Sequence, residues 1–201
     1  YPLMGYISPA WTIMAVVGAV FFVSGIPWIY RPRQNPTPSV ARDNCTGCEL
    51  CREDCPYAAI KMIERKDASG YPLLASVMPA RCASCGICVG ACEYSAINLS
   101  GLAEEALKAE IEAFSSELVA FEPGILVFLC KKSVDIKDKI NEDGSIKGYA
   151  SVRVVELPCI GMLQPAMVDM AIDSGVAGVL AVGCKMGDCS FRTGNSWLNQ
   201  R

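Results

Sequence analysis

The apolar positions change rhythm several times along the chain. From Ala10 to Tyr30 no charged residue interrupts them, and at about 1.5 Å per residue such a run reaches across the ~30 Å hydrocarbon core of a bilayer. Tyr6 and Trp11 stand near one end, Trp28 and Tyr30 near the other, and Arg31 and Arg33 follow. Aromatic ends and a basic flank predict a transmembrane helix with the rest of the chain on the cytoplasmic side, a single span in the inner membrane. The run is too long for a signal peptide and lacks a basic n-region and a cleavage site; a buried globular helix is the other reading. The chain begins with Tyr1 rather than Met, so an earlier start is expected. Residues 31–40 hold three prolines and predict an extended linker. Between 41 and 100 no long period survives. Residues 102–119 recover a helical one, with Leu102, Ala106, Leu107, Ile111, Phe114 and Leu118 on one face, and Pro123-Gly124 ends it. From Ile125 the pattern changes to short solid apolar runs, 125–130, 152–159 and 179–184, with a helix over 162–174 stopped by Gly175. Solid runs alternating with a helix predict buried strands of a small parallel sheet.

The fold class expected is therefore α+β: a transmembrane helix with its flanks (1–33), a Pro-rich linker (34–40), a cysteine-rich domain (41–100), a connecting helix (101–124) and a small parallel α/β domain (125–201).

Composition narrows the chemistry. Mean hydropathy is +0.30 and 52% of residues are apolar, which fits a membrane segment. The net charge of −3 provides no basic field for nucleic acid. No histidine occurs in the chain, which excludes Rieske ligation, histidine-ligated haem from this chain and imidazole acid–base catalysis. No G-x-G-x-x-G, P-loop or nucleophile–base motif is present. Twelve cysteines remain to be explained.

Eight of them lie in order. Cys45, Cys48, Cys51 and Cys55, then Cys82, Cys85, Cys88 and Cys92, each read C-x2-C-x2-C-x3-C, and Pro56 trails the first run. Ordered C-x2-C pairs fit metal ligation better than disulfides. This is the bacterial two-cluster ferredoxin spacing. Three thiolates wrap one cubane and the fourth reaches the other. The first [4Fe–4S] cluster is expected on Cys45, Cys48, Cys51 and Cys92, the second on Cys82, Cys85, Cys88 and Cys55. The runs repeat internally: Tyr57 matches Tyr94 and Ile60 matches Ile97. Glu93 stands where the first run has Pro56, which changes the local backbone and adds negative charge near the first cluster.

The other four cysteines end or follow the apolar runs: Cys130, Cys159, Cys184 and Cys189. Open α/β sheets gather ligands at the carboxyl ends of their strands, so the four are expected at one edge. A [2Fe–2S] cluster, a structural zinc site, a metal-free Cys184/Cys189 dithiol and unrelated buried thiols all fit the spacing alone.

Family resemblance separates these. Phe128-Leu129-Cys130, Leu157-Pro158-Cys159-Ile160-Gly161 and Gly175 through Cys184 and Cys189, followed by Gly194-Asn195 and Arg201, resemble the delta subunit of methyl-viologen-reducing hydrogenase over residues 125–201. The resemblance implies a [2Fe–2S] cluster on Cys130, Cys159, Cys184 and Cys189 and a relay role toward heterodisulfide-reductase-type flavoproteins. That family usually opens with C-x2-C, where this chain has Cys130-Lys131-Lys132-Ser133, and its domain usually runs on past residue 201. Residues 1–40 resemble the last span of a cytochrome b-type quinol-oxidising subunit. The function expected is a membrane-anchored electron-transfer subunit without an active site of its own. It would link a quinone or cytochrome b-type membrane partner to a cytoplasmic flavoprotein, heterodisulfide reductase- or hydrogenase-like. The alternative is a redox-sensing or structural iron–sulfur module without turnover.

Overall fold

The computed structural model describes residues 9–29, 36–67 and 69–201. The chain divides into two units, residues 1–34 and 35–201. The first holds helix α1, Pro9–Ile29. Its described side chains cover 10–24 and are exposed around the helix, Trp11 and Phe21 among them. The expected transmembrane helix is not borne out: among the described residues no helix is long and apolar enough to cross a membrane. The inner-membrane localisation and cytoplasmic sidedness inferred from that span fall with it. The flanks Tyr6, Tyr30, Arg31 and Arg33 lie outside the described residues.

The second unit opens with a strand where the sequence predicts the end of a linker. β1 (Ser39–Val40) pairs antiparallel with β4 (Ile97–Asn98), Val40 opposite Ile97. This brings the start of the cysteine repeat to its end. Between them lie a short helix α2 (Leu50–Glu53), a hairpin of β2 (Ile60–Glu64) and β3 (Leu73–Val77), and a short helix α3 (Ile87–Gly90). The repeat is visible in the backbone itself. Gly47 and Ser84, Glu49 and Gly86, and Ala58 and Ser95 are equivalent pairs, and all six carry positive φ. A non-glycine residue pays about 1–2 kcal/mol to sit there, so four such residues at matching places mark a loop shape that the cysteines demand.

Helix α4 (Glu104–Leu118) buries Leu107, Ile111, Ser115 and Leu118 completely. These are spaced three and four apart; Leu107, Ile111 and Leu118 belong to the face expected from the sequence, Ser115 was not expected there, and Ala106, which was, is exposed. The helix packs on a mixed sheet of β5 (Ile125–Cys130), β6 (Ser145–Ile146), β7 (Tyr149–Leu157) and β8 (Gly178–Val182), in the order β6-β7-β5-β8. β5 lies parallel to both β7 and β8. The sequence reading missed β6, a two-residue antiparallel edge, too short to carry any period. Helix α5 (Pro165–Asp173) starts later than expected, because 160–162 form a 3-10 turn before Pro165 sets the first helical turn. A last helix, α6 (Gly194–Gln200), was not foreseen.

The largest of three buried groups reaches into both halves of the second unit. Cys88, Val89, Cys92 and Ile97 of the cysteine repeat share it with Leu126, Phe128, Val155, Met162 and Met167. The approach is close enough that a Cβ on Gly90 would strike Gly161 O at 2.6 Å and Met162 O at 2.9 Å. Polar anchors fix it. Gln164 Nε2 donates to Val89 O (2.9 Å) and Cys92 O (3.2 Å). Arg201 reaches Asp54 (2.6 Å) and Gly161 O (2.6 Å).

Candidate functional site

The two cysteine runs cross. One cavity is lined by Cys45, Cys48, Cys51 and Cys92; another by Cys82, Cys85, Cys88 and Cys55. Each therefore gathers three cysteines from one run and the fourth from the other. The crossing follows from local geometry. The turn through the left-handed Glu49 or Gly86 starts a one-turn helix, α2 or α3, which carries the chain away, so Cys55 and Cys92 emerge beside the opposite loop.

Donors are aimed at the sulfurs. Ala59 N–H donates to Cys55 Sγ at 3.4 Å, Ala96 N–H to Cys92 Sγ at 3.3 Å and Ser84 N–H to Cys82 Sγ at 3.4 Å. The first two are related by the repeat. Thr46 Oγ1 is buried beside the first cavity with no partner among the described residues. A hydroxyl is costly to bury unpaired, and cluster sulfur in that cavity would accept its proton. Burial first, then the charges of neighbouring cysteines, pushes the Cys51 thiol up to about 12. Burial likewise takes Cys85 to about 11, against bonds from the Ile87 and Cys85 backbone. Cys88 rises for the same leading reason. These thiols give up their protons only to a strong cationic competitor. The cavities and donor sets fit [4Fe–4S] clusters.

The four remaining cysteines converge at one edge of the sheet. Cys130 ends β5, and its Sγ lies 3.9 Å from Cys184 Sγ beyond β8. The Cys130 thiol donates to Pro158 O at 3.8 Å, and the hydrogen bond it shares with Cys159 pushes Cys130 down and Cys159 up from the ordinary thiol range. Cys159 and Cys189 meet across Gly194: a Cβ there would collide with Cys159 Sγ and lie 3.4 Å from Cys189 Sγ. Asn195 Nδ2 holds the 184–189 loop by its Cys184 and Lys185 carbonyls (3.4 and 3.0 Å). Thr193 Oγ1 and Trp197 Nε1 are buried without partners among the described residues, and Trp197 packs against the group that contains Cys159. Among the described residues no group of three acidic or cysteine side chains closes on one metal-ion position. The sequence reading found all four cysteines. It missed Thr193 and Trp197, which carry no motif and are recognised only by their orphaned polar atoms.

The two regions touch. Cys85 and Ile87 of the repeat share one buried group with Cys159, flanked by Tyr57, Cys189, Phe191 and Trp197. Of the twelve cysteines, Cys48 alone is exposed.

Known proteins divide the chain at the same place. Residues 44–96 match the 4Fe-4S dicluster domain, and residues 125–201 match the family described as methyl-viologen-reducing hydrogenase, delta subunit. A ferredoxin:CoB-CoM heterodisulfide reductase chain of Methanosarcina mazei is 32% identical over 153 residues, 76% of this chain and 18% of that one. An iron-sulfur chain of the F420-non-reducing hydrogenase of Archaeoglobus profundus is 40% identical over 45 residues, 22% of this chain and 33% of that one. The vhu iron-sulfur chain of the F420-non-reducing hydrogenase of Methanocaldococcus jannaschii is 30% identical over 80 residues, 40% and 60% of the two chains. The chain thus spans less than two thirds of each of these relatives. No solved structure matches it. The chain carries a 4Fe-4S dicluster domain, which binds [4Fe–4S] clusters, followed by a domain similar to the delta subunit of methyl-viologen-reducing hydrogenase.

Proposed function

We propose that this chain is an iron–sulfur electron relay within a heterodisulfide reductase- or hydrogenase-like complex. Cys45, Cys48, Cys51 and Cys92 hold one [4Fe–4S] cluster, Cys82, Cys85, Cys88 and Cys55 the second, and Cys130, Cys159, Cys184 and Cys189 a [2Fe–2S] cluster. When bound, these clusters accept and pass single electrons at potentials set by their surroundings. The observation that carries the reading is the buried group that Cys85 and Ile87 share with Cys159, which supports reading the two halves as one conduit. The chain's own residues hold the thiolates, exclude water from the junction and aim N–H groups at sulfur, which stabilises the reduced state. The exposed Cys48 supplies one end and the half-exposed Cys184–Cys189 loop the other. The partner at one of these ends is a flavoprotein or hydrogenase-type oxidoreductase. The quinone or cytochrome b-type partner inferred from residues 1–40 depended on the membrane span and is not part of this proposal.

The test is iron and sulfide analysis with low-temperature EPR of the dithionite-reduced chain. The relay requires two magnetically interacting cubane signals and one [2Fe–2S] signal, all lost on adding an electron acceptor. A third site loaded with zinc, or clusters that no acceptor reoxidises, would overturn it.

A further inference from the structure

The cysteine repeat is symmetric in backbone but not in surroundings. Tyr94 is 53% exposed. Its counterpart Tyr57 lines the cavity of Cys55, Cys82, Cys85 and Cys88 and packs into the group that holds Cys159. Over the Tyr57 ring, 4.9 Å from its centroid, sits the Arg192 guanidinium, whose Nη1 also donates to Pro56 O at 2.8 Å. Arg192 belongs to the turn that follows Cys189 and closes it with an N–H bond to Cys189 O at 2.9 Å.

The backbone conformation at Arg192 is telling. Its φ is 69°, in the left-handed region that a Cβ disfavours. Glycine would make this turn with less strain, so an arginine here is held for its side chain. That side chain touches one residue of each half: the Tyr57 ring and Pro56 carbonyl on one side, and through its own turn Cys189 on the other.

We propose that Arg192 is a positioning residue of the junction: it pins Tyr57 between the two sites, and its fixed cation draws electrons toward the Cys82-set and Cys159-set sites relative to the Cys45-set site. This rests on the relay reading above. Each cluster gains negative charge on reduction, and a nearby cation stabilises that form. The guanidinium is exposed, so the effect weakens with salt. The Cys45-set site meets solvent through Cys48 and Tyr94 and has a different cation, Arg65, whose Nη1 donates to Cys45 O at 2.7 Å while its Nε pairs with Asp67; Arg192 lies at the other two sites only.

The experiment is an EPR-monitored redox titration of the full, cluster-loaded chain at low ionic strength. Arg192→Gly relieves the backbone strain while removing the charge and the stack. The two flanking sites should then move to lower potential by about tenfold in the one-electron equilibrium, which is about 59 mV. The Cys45-set site should stay in place, high salt should shrink the difference, and Arg192→Lys should restore most of it. Arg192→Gln gives the same reading if the glycine variant loses iron. Unmoved flanking potentials, or an equal shift at all three sites, overturn the proposal. If iron analysis of the unaltered chain shows no third cluster, the relay reading itself fails and this inference with it.

Discussion

Replacing Gly194 with alanine separates a sulfur-bound centre from four unrelated buried thiols. Gly194 is the first residue of α6 and does not lie in the left-handed region. Alanine should therefore suit the backbone, and helix propensity favours it by up to about 1 kcal/mol. The new methyl, however, would collide with Cys159 Sγ and press on Cys189 Sγ, 3.4 Å away. Overpacking of this kind costs about 1–3 kcal/mol, and here it falls on the two sulfurs themselves. The expected result is a loss of roughly tenfold or more in iron affinity at the third site, the scale at which supporting groups act on metal centres. Both [4Fe–4S] signals should persist, and thermal unfolding of the chain should shift little. Iron and sulfide content, with EPR resolved by site, reads all of this. A Gly194→Ala chain with full third-site iron and an unchanged spectrum would refute the claim that Cys159 and Cys189 serve one centre.

Further expectations follow from the same geometry. Cys55→Ala should damage the cluster of Cys82, Cys85 and Cys88 while the Cys45-set cluster survives; EPR of the variant showing the reverse would mean the ligands do not cross. Cys184→Ala should abolish the third-site signal and leave both cubanes, again read by EPR. Asp54→Asn breaks the largely buried 2.6 Å pair with Arg201, which ties α2 to α6. It should cost about 3 kcal/mol in denaturant unfolding, reduced by the Arg201 bond to Gly161 O that remains. Loading should also depend on pH. With Cys51 near 12 and Cys85 near 11, iron must displace thiol protons at neutral pH. Reconstitution in weak buffer should therefore acidify the solution, and apparent affinity should keep rising with pH above about 9 toward those values; an affinity that levels off near about pH 9 would contradict the raised thiols.

Much of the site was legible because thiolate ligation is written in spacing. The crossed sets of Cys45 to Cys92 follow from C-x2-C-x2-C-x3-C, and the four later cysteines were placed at one sheet edge because each closes or follows a solid apolar run. The amphipathic face of α4 was legible for the same reason, a period sustained over four turns. What sequence could not show is what depends on packing between distant segments. Gly90 looks like an ordinary helix glycine until Gly161 O and Met162 O are laid against it, and Gly161 like an ordinary loop glycine until the Gly194 backbone packs on it. Thr193 and Trp197 become functional candidates only when their polar atoms are found buried and unpaired. The apolar run from Ala10 to Tyr30 misled because hydropathy counts residues. Among the described residues the helix does not meet the length and apolarity that crossing a membrane requires. Strand ends were misplaced by a few residues, since Pro158 and Gly183 stop β7 and β8 short of the cysteines the strands deliver.

The central claim is that the two halves of the second unit form one conduit, and freeze-quench EPR tests it most directly. The fully oxidised, cluster-loaded chain is mixed with substoichiometric reductant and sampled over time. One conduit predicts that electrons redistribute among both cubanes and the third centre until they match the equilibrium potentials, at a rate independent of protein concentration. If the third centre fills only at a rate proportional to protein concentration, electrons pass between molecules rather than through the Cys85–Cys159 junction, and the account is wrong.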